Sequence, residues 1–193
     1  MSFDQIVRVP LERVAVIIGK GGETKKQLEE ACSVTLEVDS KEGIVRVRST
    51  NPIEGDPLRA MNVIEAVGRG FSPPKALRLL KEDSMLEIID LRDFVGKSQN
   101  SLERVRGRII GLQGKSRRVI EELTHCSISV FGRTVAIIGD VSEVRLAKEA
   151  ITNLASGSTH RSVFNALQKA RTKRKMERML LWEDQSPESA GIR

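Results

Sequence analysis

The sequence has little of what membrane insertion, aromatic base stacking or a disulfide scaffold requires. Only 3% of its 193 residues are aromatic, with five Phe, one Trp and no Tyr. That scarcity argues against a sheet that stacks nucleic-acid bases on aromatic rings. No run of about 20 apolar residues is present, and the N-terminus has a strand pattern rather than a signal peptide, so we expect no membrane contact.

Cysteine and histidine are also scarce. The two cysteines, Cys32 and Cys126, follow similar helical stretches, and we expect both to be buried free thiols in a reducing cytoplasm. The two histidines, His125 and His160, are far apart and lack metal-ligand spacing. We therefore predict no metal site and no cofactor.

Two enzymatic interpretations fail on the spacing and placement of residues. The segment Gly19–Thr24 lacks the Gly-x-x-x-x-Gly-Lys-Ser/Thr spacing of a nucleotide hydrolase. A magnesium cluster of a nuclease is the other interpretation, but its acids lie on or just beyond a predicted strand and have arginine neighbours for ordinary ion pairs. Those acids are Asp83, Glu87, Asp90 and Asp93. No nucleophile–base pair is evident, and we predict that the protein is not an enzyme.

What the chain does have is one pattern that occurs twice. Val16–Thr24 returns 92 residues later as Arg108–Ser116, and both copies read Ile-Ile-Gly-x-x-Gly-x-Ser/Thr before a charged helical stretch. A Gly-x-x-Gly loop between two helices is a device for gripping a nucleic-acid backbone. The following helix directs its N–H groups and the positive end of its dipole at a phosphate.

Each glycine and its apolar neighbours have an expected role in the first copy. Gly19 allows a sharp turn, and Gly22 lets a second backbone come close. Apolar residues on the next helix and strand, such as Leu28 and Val34, are expected to form the groove against which bases lie.

The order of elements around each loop repeats as β-α-α-β-β-α. Alternating apolar residues predict strands, and Asp56 and Asp140 each precede a helical pattern. The predicted strands cover residues 6–9, 34–38 and 44–47 in the first copy and 86–89, 127–131 and 134–138 in the second.

The predicted organisation is an α+β chain of two domains joined by a short structured linker. The domains cover residues 1–70 and 85–157, the linker helix 71–84, a basic C-terminal helix 158–182 and a disordered tail 183–193. Ser72 is expected to cap the linker helix, and Asn100 or Ser101 the helix that follows an insertion at 90–99. We expect the two domains to pack as one rigid body.

Positive charge is concentrated in the second half. Residues 1–75 contain 11 Lys/Arg and 11 Asp/Glu, so the net charge of +6 lies entirely beyond them. Around the second loop, residues 97–118 contain one acid, Glu103, and seven cations: Lys97, Arg104, Arg106, Arg108, Lys115, Arg117 and Arg118. This basic collar, and a further basic run at 169–178, are typical of a protein with a polyanionic partner.

The element order and the two loops resemble the KH domain of type I, in which the extra helix follows the sheet. The connecting stretches 68–73, 88–98, 104–111 and 134–140 are more specific, and they resemble the archaeal branch of the partner-of-Nob (Dim-two-like) family of ribosome-assembly factors. The similarity runs from about residue 3 to about residue 181. It implies binding to the 3′ end of small-subunit ribosomal RNA or its precursor, as single-stranded RNA.

The resemblance also implies partners and contact residues. The partners are a PIN-domain endonuclease and the alpha subunit of initiation factor two. The second domain inherits the main RNA-contact role, while the first loop keeps the glycines that eukaryotic relatives have lost. The predicted RNA-binding residues are Gly111, Leu112, Gln113, Gly114, Lys115, Arg117, Arg118, Arg108, Arg104 and Lys97, with Gly19, Lys20, Gly21 and Gly22 in the first loop.

Two alternatives remain open at this point. The chain could be a protein-interaction scaffold that docks through the apolar residues Val163, Phe164 and Leu167 of its last helix. It could also be a general KH regulator of messenger RNA, which would accept any single strand of suitable base composition. Recognition of a particular RNA sequence would separate these alternatives from the ribosomal adaptor.

Overall fold

The computed structural model describes residues 3–49 and 55–184. In the first domain a three-stranded antiparallel sheet has the order β1-β3-β2, with Val45 of β3 opposite both Val7 and Val38. Its elements are β1 (Phe3–Arg8), α1 (Leu11–Ile18), α2 (Glu23–Cys32), β2 (Thr35–Asp39), β3 (Ile44–Ser49) and α3 (Pro57–Gly68).

The second domain repeats this topology with the sheet order β4-β6-β5. Its elements are β4 (Ser84–Asp90), α5 (Arg92–Val95), α6 (Gln99–Ile110), α7 (Lys115–Thr124), β5 (Ser127–Phe131), β6 (Thr134–Asp140) and α8 (Val141–Ala155), followed by α9 (His160–Asp184). The predicted β-α-α-β-β-α order is confirmed in both copies, and the short α5 occupies the predicted insertion.

Each sheet packs one face against its helices, but the two sheets differ on the other face. Burial alternates along β3, because its outer face holds Arg46 and Arg48 in ion pairs with Asp4. In β6 six successive residues, Thr134–Gly139, are buried. Ala136 and Ile138 belong to the hydrophobic core of the first domain, so both faces of the second sheet are covered.

The linker fills the space between the domains. It contains the short helix α4 (Pro73–Ala76) and a 3₁₀ turn (Leu77–Leu80), and its residues Phe71 and Leu79 are buried in the first core. A polar contact fixes it to the second sheet, because Arg78 donates to Ser127 Oγ at 2.9 Å. Just before the linker, Ser129 Oγ donates to the Arg69 carbonyl at 2.8 Å and joins the first domain to the same sheet. The two domains therefore pack together through a short, structured linker, as predicted.

The helix ends show which predicted caps were right. Asp56 accepts a hydrogen bond from the Arg59 amide at 3.0 Å and caps α3. Ser72 occupies the N-cap position of α4 without a side-chain hydrogen bond. The prediction of Asn100 or Ser101 as the cap of α6 was wrong, because that helix already begins at Gln99 and Ser98 caps it.

The last helix is part of the second domain for its first two turns. Val163 and Leu167 are buried in the second core, so they are not available as the docking face that the scaffold interpretation assigned to them. The helix extends to Asp184, two residues into the predicted tail. The rest of that tail, 185–193, lies outside the described residues.

Both cysteines are buried free thiols, as predicted. Burial raises the pKa of Cys32 and of Cys126 to about 11. Among the described residues, no three His, Cys, Asp or Glu side chains cluster as metal ligands would. No helix of the described ranges combines the length and the apolar character that crossing a membrane requires.

Candidate nucleic-acid interface

The first glycine of each loop has a backbone conformation that excludes any other residue. Gly19 has φ 74° and ψ 175°, and Gly111 has φ 71° and ψ 174°, a region that only glycine occupies readily. A Cβ on either would also lie 2.8 Å from a backbone nitrogen, that of Thr24 or that of Ser116. The helix that follows each loop therefore starts folded back against the turn.

The last glycine of each loop borders open space. Gly22 and Gly114 have φ values of 80° and 75°, and apart from their chain neighbours no atom of the described residues lies within 4 Å of a Cβ built on either. The close approach within the protein is thus at the first glycine. A second backbone was expected to come close at Gly22, but the space beside this glycine is open and can be filled by a ligand.

The two helices that follow the loops begin without a side-chain cap, because their N-cap residues are Gly22 and Gly114. Their first residues carry opposite charges. Glu23 opens α2, while Lys115 opens α7, and the first turn of α7 has no acidic residue. Since a helix N-terminus favours anions, α7 leaves its positive end available to a phosphate, whereas Glu23 competes for that of α2.

The same contrast extends over the whole helix pair. Residues 11–32 contain four cations and four carboxylates, and the equivalent residues 103–124 contain six cations and three carboxylates. The second helix pair therefore has a net charge of +3 and the first has none. The electrostatic potential favours a polyanion at the second loop.

The tip of the second loop projects into solvent. Leu112 is 86% exposed, and Gln113 adopts a left-handed conformation with φ 50°. Arg118 donates to the Gln113 carbonyl at 3.0 Å and so braces the loop from the following helix. Lys115 beside it is exposed. The loop tip and these cations thus lie together.

Arg117 forms an ion pair with a carboxylate of its own helix. Its Nε lies 3.8 Å from Glu121, whose Oε1 accepts a hydrogen bond from the Ile128 amide at 2.8 Å. The first domain has the same arrangement 92 residues earlier, where Glu29 accepts from the Leu36 amide at 2.8 Å. We did not predict these glutamates as contacts between helix and strand, although their place in the repeat could have identified them.

Three further cations of the basic collar have separate places. Arg108 donates to the carbonyls of Gly157 (2.9 Å) and Ser158, and thereby holds the chain that leads into α9. Arg104 is exposed on α6. Lys97 precedes α6 and so lies a helix length, about 18 Å at 1.5 Å per residue, from the loop. The collar surrounds the whole of α6 rather than the loop alone.

The apolar groove is also not where the sequence placed it. Leu28 and Val34 are only 2% and 8% exposed and belong to the core, so no base can lie against them. In the second domain, Ile110 and Val119 next to the loop are half-buried. These side chains keep apolar surface accessible beside the Gly-x-x-Gly turn.

Family models match both halves of the chain. Residues 85–172 match the model described as "Eukaryotic type KH-domain (KH-domain type I)", and residues 4–54 match the KH domain. The first model extends into α9, in agreement with the packing of that helix on the second domain. The predicted type I topology is thereby confirmed.

Similar proteins cover most of the chain. A KH domain-containing protein of Methanocaldococcus jannaschii, MJ0443, is 42% identical over 185 residues, which are 94% of this chain and 80% of that protein. The pre-rRNA-processing protein PNO1 of Chaetomium thermophilum is 29% identical over 83% of this chain, and the match spans 63% of its length.

A solved structure shares the architecture of both domains together. A crystal structure of an a/eIF2alpha-aDim2p-rRNA complex from Pyrococcus horikoshii contains a chain that matches with a TM-score of 0.82 and 43% identity. The match covers 89% of this chain and 96% of that one. Coverage of this extent includes the linker as well as the two sheets.

Proposed function

This chain belongs to the PNO1/Dim2 family of KH-domain proteins, and on that premise we propose that it is a non-enzymatic RNA-binding adaptor in assembly of the small ribosomal subunit. The observation that carries the proposal is the charge at the second loop. An uncapped helix N-terminus faces open space at Gly114, and Lys115 and Arg118 stand beside it. A phosphodiester fits there, because N–H groups and cations converge without an acidic competitor.

The proposed mechanism is that the second domain holds a single strand while the first domain and the linker set its orientation. The Gly-x-x-Gly turn binds backbone phosphates, and the apolar surface beside it accommodates bases. Because the linker is buried in the core of the first domain and bonded to the second sheet, the held RNA strand has a fixed direction relative to the first domain. A nuclease that docks on the protein would thus meet a defined phosphodiester.

The RNA and the partners form the finer part of the proposal. The RNA is the 3′ end of small-subunit ribosomal RNA or its precursor, and the partners are a PIN-domain endonuclease and the alpha subunit of initiation factor two. Two relatives support this proposal. One is PNO1, a pre-rRNA-processing protein. The other is aDim2p, which was crystallised in a complex with a/eIF2alpha and rRNA. The cytoplasm is the proposed compartment, because both thiols are buried and free.

Fluorescence anisotropy with two labelled oligonucleotides tests this function. One is the 3′ end of small-subunit ribosomal RNA, and the other is a scramble of equal composition. We expect at least about tenfold tighter binding of the true sequence, about 1.4 kcal/mol. Contacts to about four phosphates give a salt slope near −3.

The double variant Leu112→Asp, Gln113→Asp removes this binding by placing two carboxylates at the loop tip. Both side chains are exposed, and aspartate tolerates the left-handed conformation of position 113. The matched control, Lys20→Asp at the exposed tip of the first loop, should retain most of the affinity. Equal binding of both RNAs, undiminished in the double variant, would exclude the adaptor function.

A protein-interaction scaffold remains the second candidate, because α9 exposes apolar side chains beyond the second core. Met176, Met179 and Leu180 are each more than half exposed on this basic helix. A scaffold would bind RNA equally well with either loop tip changed. The same anisotropy series therefore distinguishes a scaffold from the adaptor. A general KH regulator of messenger RNA would bind the scrambled RNA as tightly as the true sequence.

A further inference from the structure

A second basic site lies between the domains, away from both Gly-x-x-Gly loops. A cleft of about 400 Å³ opens where the end of α3, the start of α6 and the β5–β6 turn meet. Within the described residues its lining includes no Asp or Glu. Four arginines from four different elements contribute to it: Arg69, Arg92, Arg106 and Arg133. We refer to it as the arginine cleft.

The charges of the arginine cleft are only partly balanced. Arg69 lies 3.4 Å from Glu65, and Arg133 lies 3.1 Å from Asp90, in pairs whose side chains are a third to a half exposed. Such pairs are weak and leave most of each guanidinium free for another anion. Two cations of the four have a carboxylate neighbour, so the cleft keeps a positive excess.

The remaining two arginines have no ion pair among the described residues. Arg92 is exposed at the start of α5. Arg106 is half-buried, and its Nε is a buried donor without a hydrogen-bond partner in the described ranges. A buried N–H without an acceptor costs free energy. The four guanidinium groups that line the cleft suit an anion that forms planar contacts with them, as a phosphate does.

The arginine cleft and the second loop share one helix. Gln99, Leu102 and Arg106 contribute to the cleft from one face of α6, and the same helix ends at Gly111. Arg106 is five residues before Gly111, about 7.5 Å along the helix axis at 1.5 Å per residue. An RNA strand held at the loop therefore has to extend only about this far along α6 to reach Arg106.

We propose that the arginine cleft binds phosphodiester groups of the RNA strand held by the second loop, and so extends the RNA footprint to the domain interface. The inference rests on the proposed function, since it assumes that the second loop holds RNA. Leu102 and Phe131 supply apolar walls, and Gln99 supplies an amide, which suit the sugar and base attached to a phosphate. Contact with Arg69 and Arg133 joins the strand to both domains at once.

Oligonucleotides of two lengths test the inference. A five-nucleotide RNA fills the loop site, which grips about four nucleotides, and a ten-nucleotide RNA extends beyond it. The variant is Arg92→Gln, Arg106→Gln, and the matched control, Arg145→Gln, Arg161→Gln, removes the same charge from exposed positions of α8 and α9. Thermal unfolding of each variant verifies that it is folded.

We expect the cleft variant to bind the ten-nucleotide RNA about three- to tenfold more weakly, with a salt slope flatter by about 1. Its affinity for the five-nucleotide RNA, and both affinities of the control, should match the unmodified protein. If the cleft variant and the control lose the same RNA affinity, the effect comes from net charge and the inference is overturned. Unchanged binding of the longer RNA would overturn it as well.

Two further arms separate the source of the phosphate and the underlying function. A contrary outcome is that AMP raises the unfolding temperature of the unmodified protein but not that of the cleft variant, while the two proteins bind RNA with equal affinity. In that case the ligand of the cleft is a free nucleotide, and the proposed extension of the RNA footprint is wrong. The loop variant Leu112→Asp, Gln113→Asp should lose both RNAs. If it binds both normally, the proposed function fails, whatever the cleft variant shows.

Discussion

At the residue scale, one position distinguishes the two domains most clearly. Glu23 and Lys115 occupy the same place, the first residue of the helix after the loop, and both are exposed. The backbone conformation of the glycines, the turn and the helix start is otherwise alike. A two-unit charge difference at an uncapped helix N-terminus determines how well that end attracts a phosphate.

Charge reversal at these positions should change RNA affinity in opposite directions. Lys115→Glu is expected to weaken RNA binding about tenfold, because a carboxylate then competes with phosphate at the start of α7. Glu23→Lys should strengthen it about two- to fivefold through the first loop, which corresponds to the 0.3–1 kcal/mol of a charge at a helix end.

Anisotropy titrations at two salt concentrations measure both effects. Arg145→Glu, the same change at an exposed position of α8, is the control for net charge. Were Lys115→Glu to weaken binding no more than Arg145→Glu does, the helix terminus would not be the phosphate site.

The two glycines of the second loop should respond differently to a methyl group. Gly114→Ala is expected to cost about 1–2 kcal/mol of the free energy of unfolding, since a left-handed alanine is strained but has open space. Gly111→Ala should cost about 3 kcal/mol or more, because its Cβ would also lie 2.6 Å from Ser116 Cβ. Urea denaturation gives both values, and equal costs would contradict the close contact at Gly111.

At the scale of elements, a glutamate on the second helix of each repeat joins that helix to its neighbouring strand. Glu29 bonds β2 through the Leu36 amide, and Glu121 bonds β5 through the Ile128 amide. Both strands are at the edge of their sheets, where a backbone N–H has no partner strand. The carboxylate satisfies one such donor and fixes the angle between loop helix and sheet.

Removal of the hydrogen bond from Glu121 should destabilise the second domain more than removal of its charge alone. Glu121→Ala is expected to lower the free energy of unfolding by about 2 kcal/mol, as a hydrogen bond to a charged group disappears. Glu121→Gln should cost less than about 1 kcal/mol, because an amide oxygen can still accept from Ile128 and only the weak pairs with Arg117 and Lys75 are lost. Urea midpoints test the order, and equal losses would show that charge rather than the hydrogen bond matters.

At the scale of the whole molecule, Arg13 connects the two domains through the linker. From α1 it donates to the carbonyls of Val67 at 2.8 Å and Phe71 at 2.5 Å. Its guanidinium also lies 6.0 Å from the centroid of the Phe131 ring in the second domain. One side chain thus fixes the end of α3, the linker and the second sheet together.

Arg13→Ala should uncouple the domains. We expect a loss of about 2–3 kcal/mol and a broader or two-step thermal transition, since two carbonyls lose a charged donor. Differential scanning calorimetry measures the transition, and Glu12→Ala at the exposed neighbouring position is the control. A single transition at the original temperature would mean that apolar packing alone holds the domains.

The strands and helices that are marked by neighbouring residues in the sequence could be predicted. The β5–β6 hairpin was placed correctly because Gly132, with φ 55°, lies between two apolar runs. The continuous apolar run of β6 indicated burial but not what covers it. The cap of α6 was missed because Ser98 and Ser101 have the same capping chemistry, and only the helix start distinguishes them.

The sequence by itself determined the repeated β-α-α-β-β-α order, the two loops and the excess of positive charge in the second half. These depend on residue periodicity, glycine conformations and charge, which are properties of neighbouring residues. Only the tertiary structure decided which arginines are free. Arg108 is bound to carbonyls some 50 residues away, and Arg69, Arg92, Arg106 and Arg133 meet in one cleft. Such contacts depend on how distant elements pack, and no local pattern encodes that distance.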